Sequence, residues 1–227
     1  MDFGSGLIRR KYVIWDWNGT ILDDIWLTLK VTNCLLERRG LNQLDRQKYR
    51  DVFGFPLVDY YRRLGLDIEK ESFRKLAREW NPLYERERED CSLFVGMRNL
   101  LELLSIEGWG QCVLSAYEEK KLKELIGHHG ICGFFSNICG LDNDEGIGKI
   151  DLGVKFIKRL YENTSIDTAV YIGDTIHDAE VAAAMNIDCL LVSYGHQNRR
   201  RLETTGFVVV DTIEELFERL KSWGKER

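Results

Sequence analysis

The sequence predicts an α/β protein, a doubly wound parallel sheet with an all-helical segment inserted after its first strand. Three observations predict it. From residue 94 onward, short apolar or β-branched runs alternate with amphipathic helical patterns, as in successive βα units joined by right-handed crossovers. Between Gly40 and about Cys91 only helical patterns occur. Polar residues follow apolar runs at Asp16, at Ser115, at Asp174 with Asp178, and in the segment holding Lys149, where a parallel sheet would open its carboxyl edge.

The first strand is Tyr12-Val13-Ile14-Trp15, which breaks into Asp16-Trp17-Asn18-Gly19-Thr20. A helical pattern then recurs through Leu29, Val31, Leu35 and Leu36, with Asp23 or Asp24 as its N-cap, and stops near Gly40. Helix-like stretches follow at 45–52, 57–64 and 68–89. Beyond them the predicted order is helix 97–107, strand 110–115, helix 118–129, strand 134–139, helix 150–162 and strand 168–172. Helix 178–185, strand 189–192, a short helix 197–203, strand 207–210 and a last helix 212–223 complete it. This divides the chain into a Rossmann-like core, residues 1–22 and 94–227, and an α-helical insert, residues 23–93.

The 227 residues are 44% hydrophobic, enough for a real core, and the net charge of −5, with both signs intermixed, excludes a basic nucleic-acid-binding face. No apolar run approaches the ~20 residues of a membrane span, and residues 1–11 are too short and polar for a signal peptide. Six cysteines without CxxC spacing read as free core thiols in a reducing cytoplasm. His128-His129 with Cys132 does not make a metal site, since adjacent histidines diverge on a helix. A cytoplasmic protein without nucleic-acid or membrane partners is expected, and monomer and homodimer both stay open.

A carboxylate at Asp16 can attack phosphorus and carry an aspartyl-phosphate. Gly19 lets the following loop turn and bring backbone N–H groups toward an anion. Ser115 can donate to a phosphoryl oxygen, and Lys149 can neutralise its charge. Asp174 and Asp178 offer hard oxygen ligands suited to Mg²⁺, which would screen the repulsion between an anionic nucleophile and an anionic substrate. Each residue has a plainer reading: Ser115 as a helix N-cap, Lys149 as a solvated lysine, Asp178 as a first-turn carboxylate. Their common position at strand ends favours a shared site.

Together Asp16-Trp17-Asn18-Gly19-Thr20, Ser115 after Cys112-Val113-Leu114, Lys149, and Gly173-Asp174-Thr175-Ile176-His177-Asp178 resemble the four motifs of the haloacid dehalogenase superfamily of phosphohydrolases. The first resembles DxDGT and the last GDTxxD, and the resemblance covers nearly the whole chain. The insert is similar to the α-helical cap of phosphoglycolate-phosphatase-like members. The resemblance implies a small phosphorylated substrate and Asp16 as nucleophile. It implies Mg²⁺ held by Asp16, the Asn18 backbone carbonyl and Asp174, with Asp178 supporting the metal or orienting Lys149. Ser115 and Lys149 would hold the phosphoryl group, with Gly19 and Thr20 in the same phosphate-binding loop and Thr20 buttressing it.

The family's phosphatases usually carry a second aspartate where this chain has Asn18. An amide can hydrogen-bond the leaving oxygen but cannot pass it a proton, a step worth roughly 10²–10⁴ in rate. Three readings follow: a slow phosphatase or one specialised for acyl or aryl phosphates; a replacement acid at Asp23, Asp24 or His177; or an aspartyl-phosphate that forms and persists, or a catalytically impaired phosphate-ester-binding module with a regulatory or scaffold role. Asp174 and Asp178 argue against dehalogenation, Asn18 against a phosphomutase, and the surroundings of Lys30 against a Schiff-base phosphonatase. Specificity is expected from residues 25–91, hinged at 22–24 and 91–95. Phe53-Gly54-Phe55-Pro56 either faces the site or packs inside the insert. Arg62 and Arg63 are candidates for a second anionic group, while His196 and Arg199 to Arg201, after a core strand, either flank the site entrance or, as favoured, form a capped helix with a basic surface.

Overall fold

The computed structural model describes residues 10–143 and 148–223, so the expectation about a signal peptide falls largely outside them, on residues 1–9. β1 (Arg10–Trp15) is the central strand of a six-stranded sheet. Its neighbours are β4 (Gly110–Glu118) on one side and β6 (Ile166–Gly173) on the other, both parallel to it. β5 (Asn137–Leu141) continues beyond β4, and β7 (Asp188–Val192) and β8 (Val208–Val210) beyond β6, giving the order β5-β4-β1-β6-β7-β8. The chain turns one way from β1 to reach β4 and the other to reach β6. A crevice opens at the carboxyl ends of such strands.

Strand periodicity decides which side chains meet which helices. Tyr12 and Ile14 pack with Phe156, Leu160, Val181 and Met185, from α7 (Lys149–Asn163) and α8 (Ile176–Met185). Val13 and Trp15 point the other way, into the cluster of Leu100, Leu104, Leu122, Ile126, Leu216 and Leu220. Those come from α5 (Met97–Ile106), α6 (Glu119–His128) and α10 (Ile213–Ser222). Helices therefore cover both faces, and the expected doubly wound α/β architecture is what the chain forms.

Between residues 24 and 91 lie four α-helices: α1 (Ile25–Glu37), α2 (Arg46–Val52), α3 (Leu57–Arg63) and α4 (Phe73–Glu87). They form a layer over the carboxyl edge. Its two connections pair with each other, β2 (Leu22–Asp23) running antiparallel to β3 (Ser92–Leu93). A two-residue ladder has no readable period, so nothing in the residue pattern signals it. The helix over 45–52 starts as expected, since Asp45 accepts from Lys48 N at 2.7 Å.

Other boundaries moved for local reasons. Residues 132–134 form a 3₁₀ turn, and the strand expected at 134–139 begins only at Asn137. The fourth strand runs past Ser115 to Glu118, with its register to β5 shifting between Leu114 and Glu118. Ser115 therefore sits at an irregularity inside the strand rather than after it. Lys149 begins α7 rather than lying in a loop. All six cysteines are free, but Cys132 is exposed and only Cys91, Cys112 and Cys189 are buried, so "core thiols" holds for half of them. Among the described residues no helix is long and apolar enough to cross a membrane.

Candidate active site

Asp16 follows β1, Ser115 lies in β4 and Asp174 follows β6, so the three central strands deliver all three to one crevice. Lys149 joins them from the first turn of α7. Its Nζ lies 2.6 Å from Asp16 Oδ1 and 2.7 Å from Asp178 Oδ1, with all three side chains buried. Lys149 is thus not the solvated lysine of the plainer reading. Burial alone would strip its charge, but Asp16 and Asp178 hold the ammonium well above its ordinary pKa.

Asp16, Asp174 and Asp178 each offer an oxygen within 4.8 Å of the others, the one such acidic cluster among the described residues. Burial pushes Asp16 up to about 7, against the pull of Lys149, and Asp174 up to about 8, against the pull of His196. A site that makes two carboxylates this hard to ionise is one that a cation would suit. Asp178 differs. Burial opposes its charge as well, yet Lys149 and Thr175 hold it below the usual carboxylate range.

Both Asp178 oxygens are taken inside the protein. Oδ1 accepts from Lys149, and Oδ2 accepts from Thr175 Oγ1 at 2.6 Å, Thr175 N at 3.0 Å and Asp174 N at 3.1 Å. Thr175 and Asp178 form a capping box at the start of α8. The first-turn reading and the site reading of Asp178 are therefore both satisfied: one carboxylate ends a strand, starts a helix and orients Lys149.

Gly19 takes φ 73°, and a Cβ there would lie 2.3 Å from Asp174 Oδ2, so only glycine permits the approach. Its N–H is committed to Leu22 O at 2.9 Å and Asp24 Oδ1 at 3.0 Å, so it is not the free anion donor expected. Thr20 is fully buried and donates to Asp174 Oδ1 at 3.3 Å, the buttressing geometry rather than that of a phosphate ligand. The Ser115 hydroxyl accepts from Tyr117 N at 3.2 Å, lines the crevice and keeps its own proton to donate.

Asn18 does not stand alone. Its Nδ2 donates to Asp24 Oδ2 and to Tyr84 Oη, both at 2.8 Å, and Tyr84 donates to the same Asp24 oxygen at 2.8 Å. Asp24 in turn faces His196, whose Nε2 lies 3.2 Å from Asp24 Oδ1 and whose Nδ1 lies 2.7 Å from Tyr49 Oη. Burial disfavours charge on both partners. Their mutual attraction wins, lifting His196 to about 9 and holding Asp24 below its ordinary value. The residue pattern offers Asp24 as an N-cap or a replacement acid, and His196 as flanking the site entrance or part of a basic helix end. Asp24 makes no capping bond, and His196 is buried with its backbone N–H donating to Asp174.

His177, Arg62, Arg63 and Lys30 lie outside the crevice lining. His177 pairs with Glu180 at 2.8 Å and stacks on Phe55. Arg62 is exposed against Asp59, and Arg63 donates to Val52 O, so neither meets the crevice. Lys30 pairs with Glu87 on the surface. Phe53 and Phe55 do line the site, and the Phe53 carbonyl accepts from Gln197 Nε2 at 3.0 Å, tying the helical layer down to the segment after β7.

Comparison with known proteins agrees with this geometry. The family model for haloacid dehalogenase-like hydrolases matches residues 13–192. The chain is 28% identical to the tyrosine-protein kinase PtkA of Mycobacterium tuberculosis over 220 residues, covering 92% of this chain and 72% of that protein. It is 22% identical to the phosphoglycolate phosphatase of Pseudomonas fluorescens over 213 residues, covering 91% and 78%. A predicted phosphatase from Clostridium acetobutylicum shares the fold with TM-score 0.80 and 21% identity, covering 94% of this chain and 99% of that one. With the matched family spanning every strand from β1 to β7, the chain belongs to the haloacid dehalogenase-like hydrolases and is a phosphatase-like member of them.

Proposed function

We propose that the protein is a Mg²⁺-dependent phosphohydrolase acting on a small phosphorylated substrate through an aspartyl-phosphate on Asp16. The observation that carries this reading is Lys149, buried 2.6 Å from Asp16 and 2.7 Å from Asp178, beside Asp174 and under the helical layer. Asp16 Oδ attacks phosphorus and the ester P–O bond breaks toward the leaving oxygen. Water then attacks phosphorus, the Asp16–phosphorus bond breaks, and phosphate leaves. Lys149 and the Ser115 hydroxyl hold the phosphoryl oxygens, and Asp178 fixes the Lys149 ammonium.

Asp16, Asp174 and the Asn18 backbone carbonyl would hold Mg²⁺, since both Asp178 oxygens are otherwise engaged. The cation supplies charge neutralisation when bound. The four helices of residues 23–93 act as a cap that excludes water. We place the protein in the cytoplasm, a reading supported by six unpaired thiols.

Asp16 and Asp174 carry raised pKa values in the folded chain, so between about pH 4 and 8 the folded state binds more protons than the unfolded state. Stability of the metal-free protein therefore falls as pH rises across that window. Mg²⁺ is expected to raise Tm more at pH 8 than at pH 5, and turnover of a phosphate-ester panel should vanish on chelation and return with Mg²⁺. Mg²⁺ without effect on Tm at pH 8, together with no hydrolysis of any ester, would favour a phosphate-ester-binding module instead.

A further inference from the structure

The crevice does not end at the phosphoryl site. Phosphoryl site included, it is one cavity of about 160 Å³ that continues into the helical layer, where Phe55, Tyr60, Tyr61, Phe73, Trp80 and Tyr84 wall it. A dry apolar cavity of about 150 Å³ takes up benzene. A space of this size, shared with the phosphoryl group, admits no organic group larger than one ring, and its aromatic walls can meet that ring by stacked and edge-on contacts.

Among the described residues, no cation lining this chamber is left for a second anionic group beside the phosphoryl one. Its cationic lining residues are Lys149, bound to Asp16 and Asp178, and His196, 3.2 Å from Asp24. Of its outer acids, Glu85 accepts from Tyr117 Oη at 2.7 Å and pairs with Arg88 at 3.0 Å, while Glu118 caps α6 through Lys120 N and Lys121 N. A second carboxylate or phosphate on the substrate would lose its water there without a cation to receive it. On the chamber wall the Tyr60 hydroxyl, buried near Thr32, completes no well-formed hydrogen bond and can meet a hydroxyl or carbonyl on the ring.

The leaving-group chemistry points the same way. A phenol has a pKa of about 10, whereas an alkanol lies near that of water, about 15.7. When the P–O bond of an aryl ester breaks, its electron pair stays on a phenolate that departs without a donated proton and is protonated afterward from solvent. Asn18, which cannot supply a proton, suffices for that ester and not for an alkyl one.

Resting on the phosphohydrolase reading above, we infer that the substrate is the phosphate monoester of a small, single-ring phenol, with its ring in the chamber of Phe55, Tyr61 and Trp80. The reaction converts aryl phosphate and water to the phenol and phosphate.

Binding separates this inference from the catalytic one. Asp16→Asn protein with Mg²⁺ is titrated with phenyl phosphate and with ethyl phosphate by calorimetry. Phenyl phosphate should bind at least tenfold tighter, and Trp80→Leu or Phe55→Leu in the same background should cut that ratio at least fivefold. Equal affinities, or a ratio unchanged in both variants, overturn the inference. Turnover of acetyl phosphate, which carries no ring, by the unsubstituted protein tests the hydrolase reading alone. Hydrolysis of acetyl phosphate with equal phenyl and ethyl affinities defeats only the aryl assignment. A phenyl preference without hydrolysis of any ester supports the aryl ligand and defeats the hydrolase.

Discussion

Asp16→Asn is expected to remove turnover by roughly 10⁴-fold or more while leaving the protein folded, with a Tm equal to or above that of the parent in the absence of metal. The two halves of this result have separate causes. An amide cannot act as the nucleophile, so no covalent intermediate forms; effects of this size are usual when a nucleophile is deleted. Stability survives because burial already makes the Asp16 charge costly, raising its pKa to about 7, and asparagine keeps its shape without that charge. Lys149 retains Asp178 at 2.7 Å. Steady-state phosphate release and thermal melts on the same preparation check both halves. Retained turnover, or loss of the fold, contradicts the account.

Asn18→Asp carries the second large effect, and its direction follows from the structure rather than from family habit. If position 18 were merely a lost acid, restoring aspartate should raise activity on alkyl phosphates. The amide, however, donates to Asp24 and Tyr84, and Asp24 already shares the one nearby histidine. A carboxylate placed there would face Asp24 at about hydrogen-bond distance, so one of the two must hold a proton. Losing the donated bond in a buried site costs roughly 1–3 kcal/mol, or about 2–12 °C in Tm for a chain of this size. Turnover of phenyl phosphate should fall about tenfold, the equivalent of about 1.4 kcal/mol.

The pH dependence has a definite sign. A carboxylate whose folded pKa is raised loses stability as pH climbs above the unfolded value, so the deficit of Asn18→Asp is small near pH 4 and grows toward neutrality. Melts of parent and variant from pH 4 to 8 measure it. A variant that gains activity and keeps its Tm would show that the amide is incidental.

Much of this site was legible in the sequence because parallel strands end in the same place. Asp16 and Asp174 needed only an apolar run before them and a turn after. What stayed hidden depends on contacts without local signature. Asp24 looks like a helix N-cap from its neighbours, and its partner His196 lies 172 positions away. Thr20 buttresses the loop through Asp174, whereas the Gly19 N–H goes to Asp24, since nothing in a glycine's sequence context says that Asp24 will take it. The aromatic chamber was hidden for another reason. Tyr60, Tyr61, Phe73 and Trp80 are spaced as helix-core residues, and only the packing of α3 and α4 above the sheet leaves a space between them. Arg62 and Arg63 misled because charge at a helix C-terminus is favourable wherever the helix points.

The central claim is that phosphorus is transferred to Asp16. Acid-quenching the protein during turnover of phosphorus-labelled phenyl phosphate, followed by reduction of any acyl phosphate with borohydride and peptide sequencing, tests it directly. The account predicts label that is released by hydroxylamine and a homoserine at position 16. Turnover without trapped label at Asp16, or with label on another residue, would contradict it.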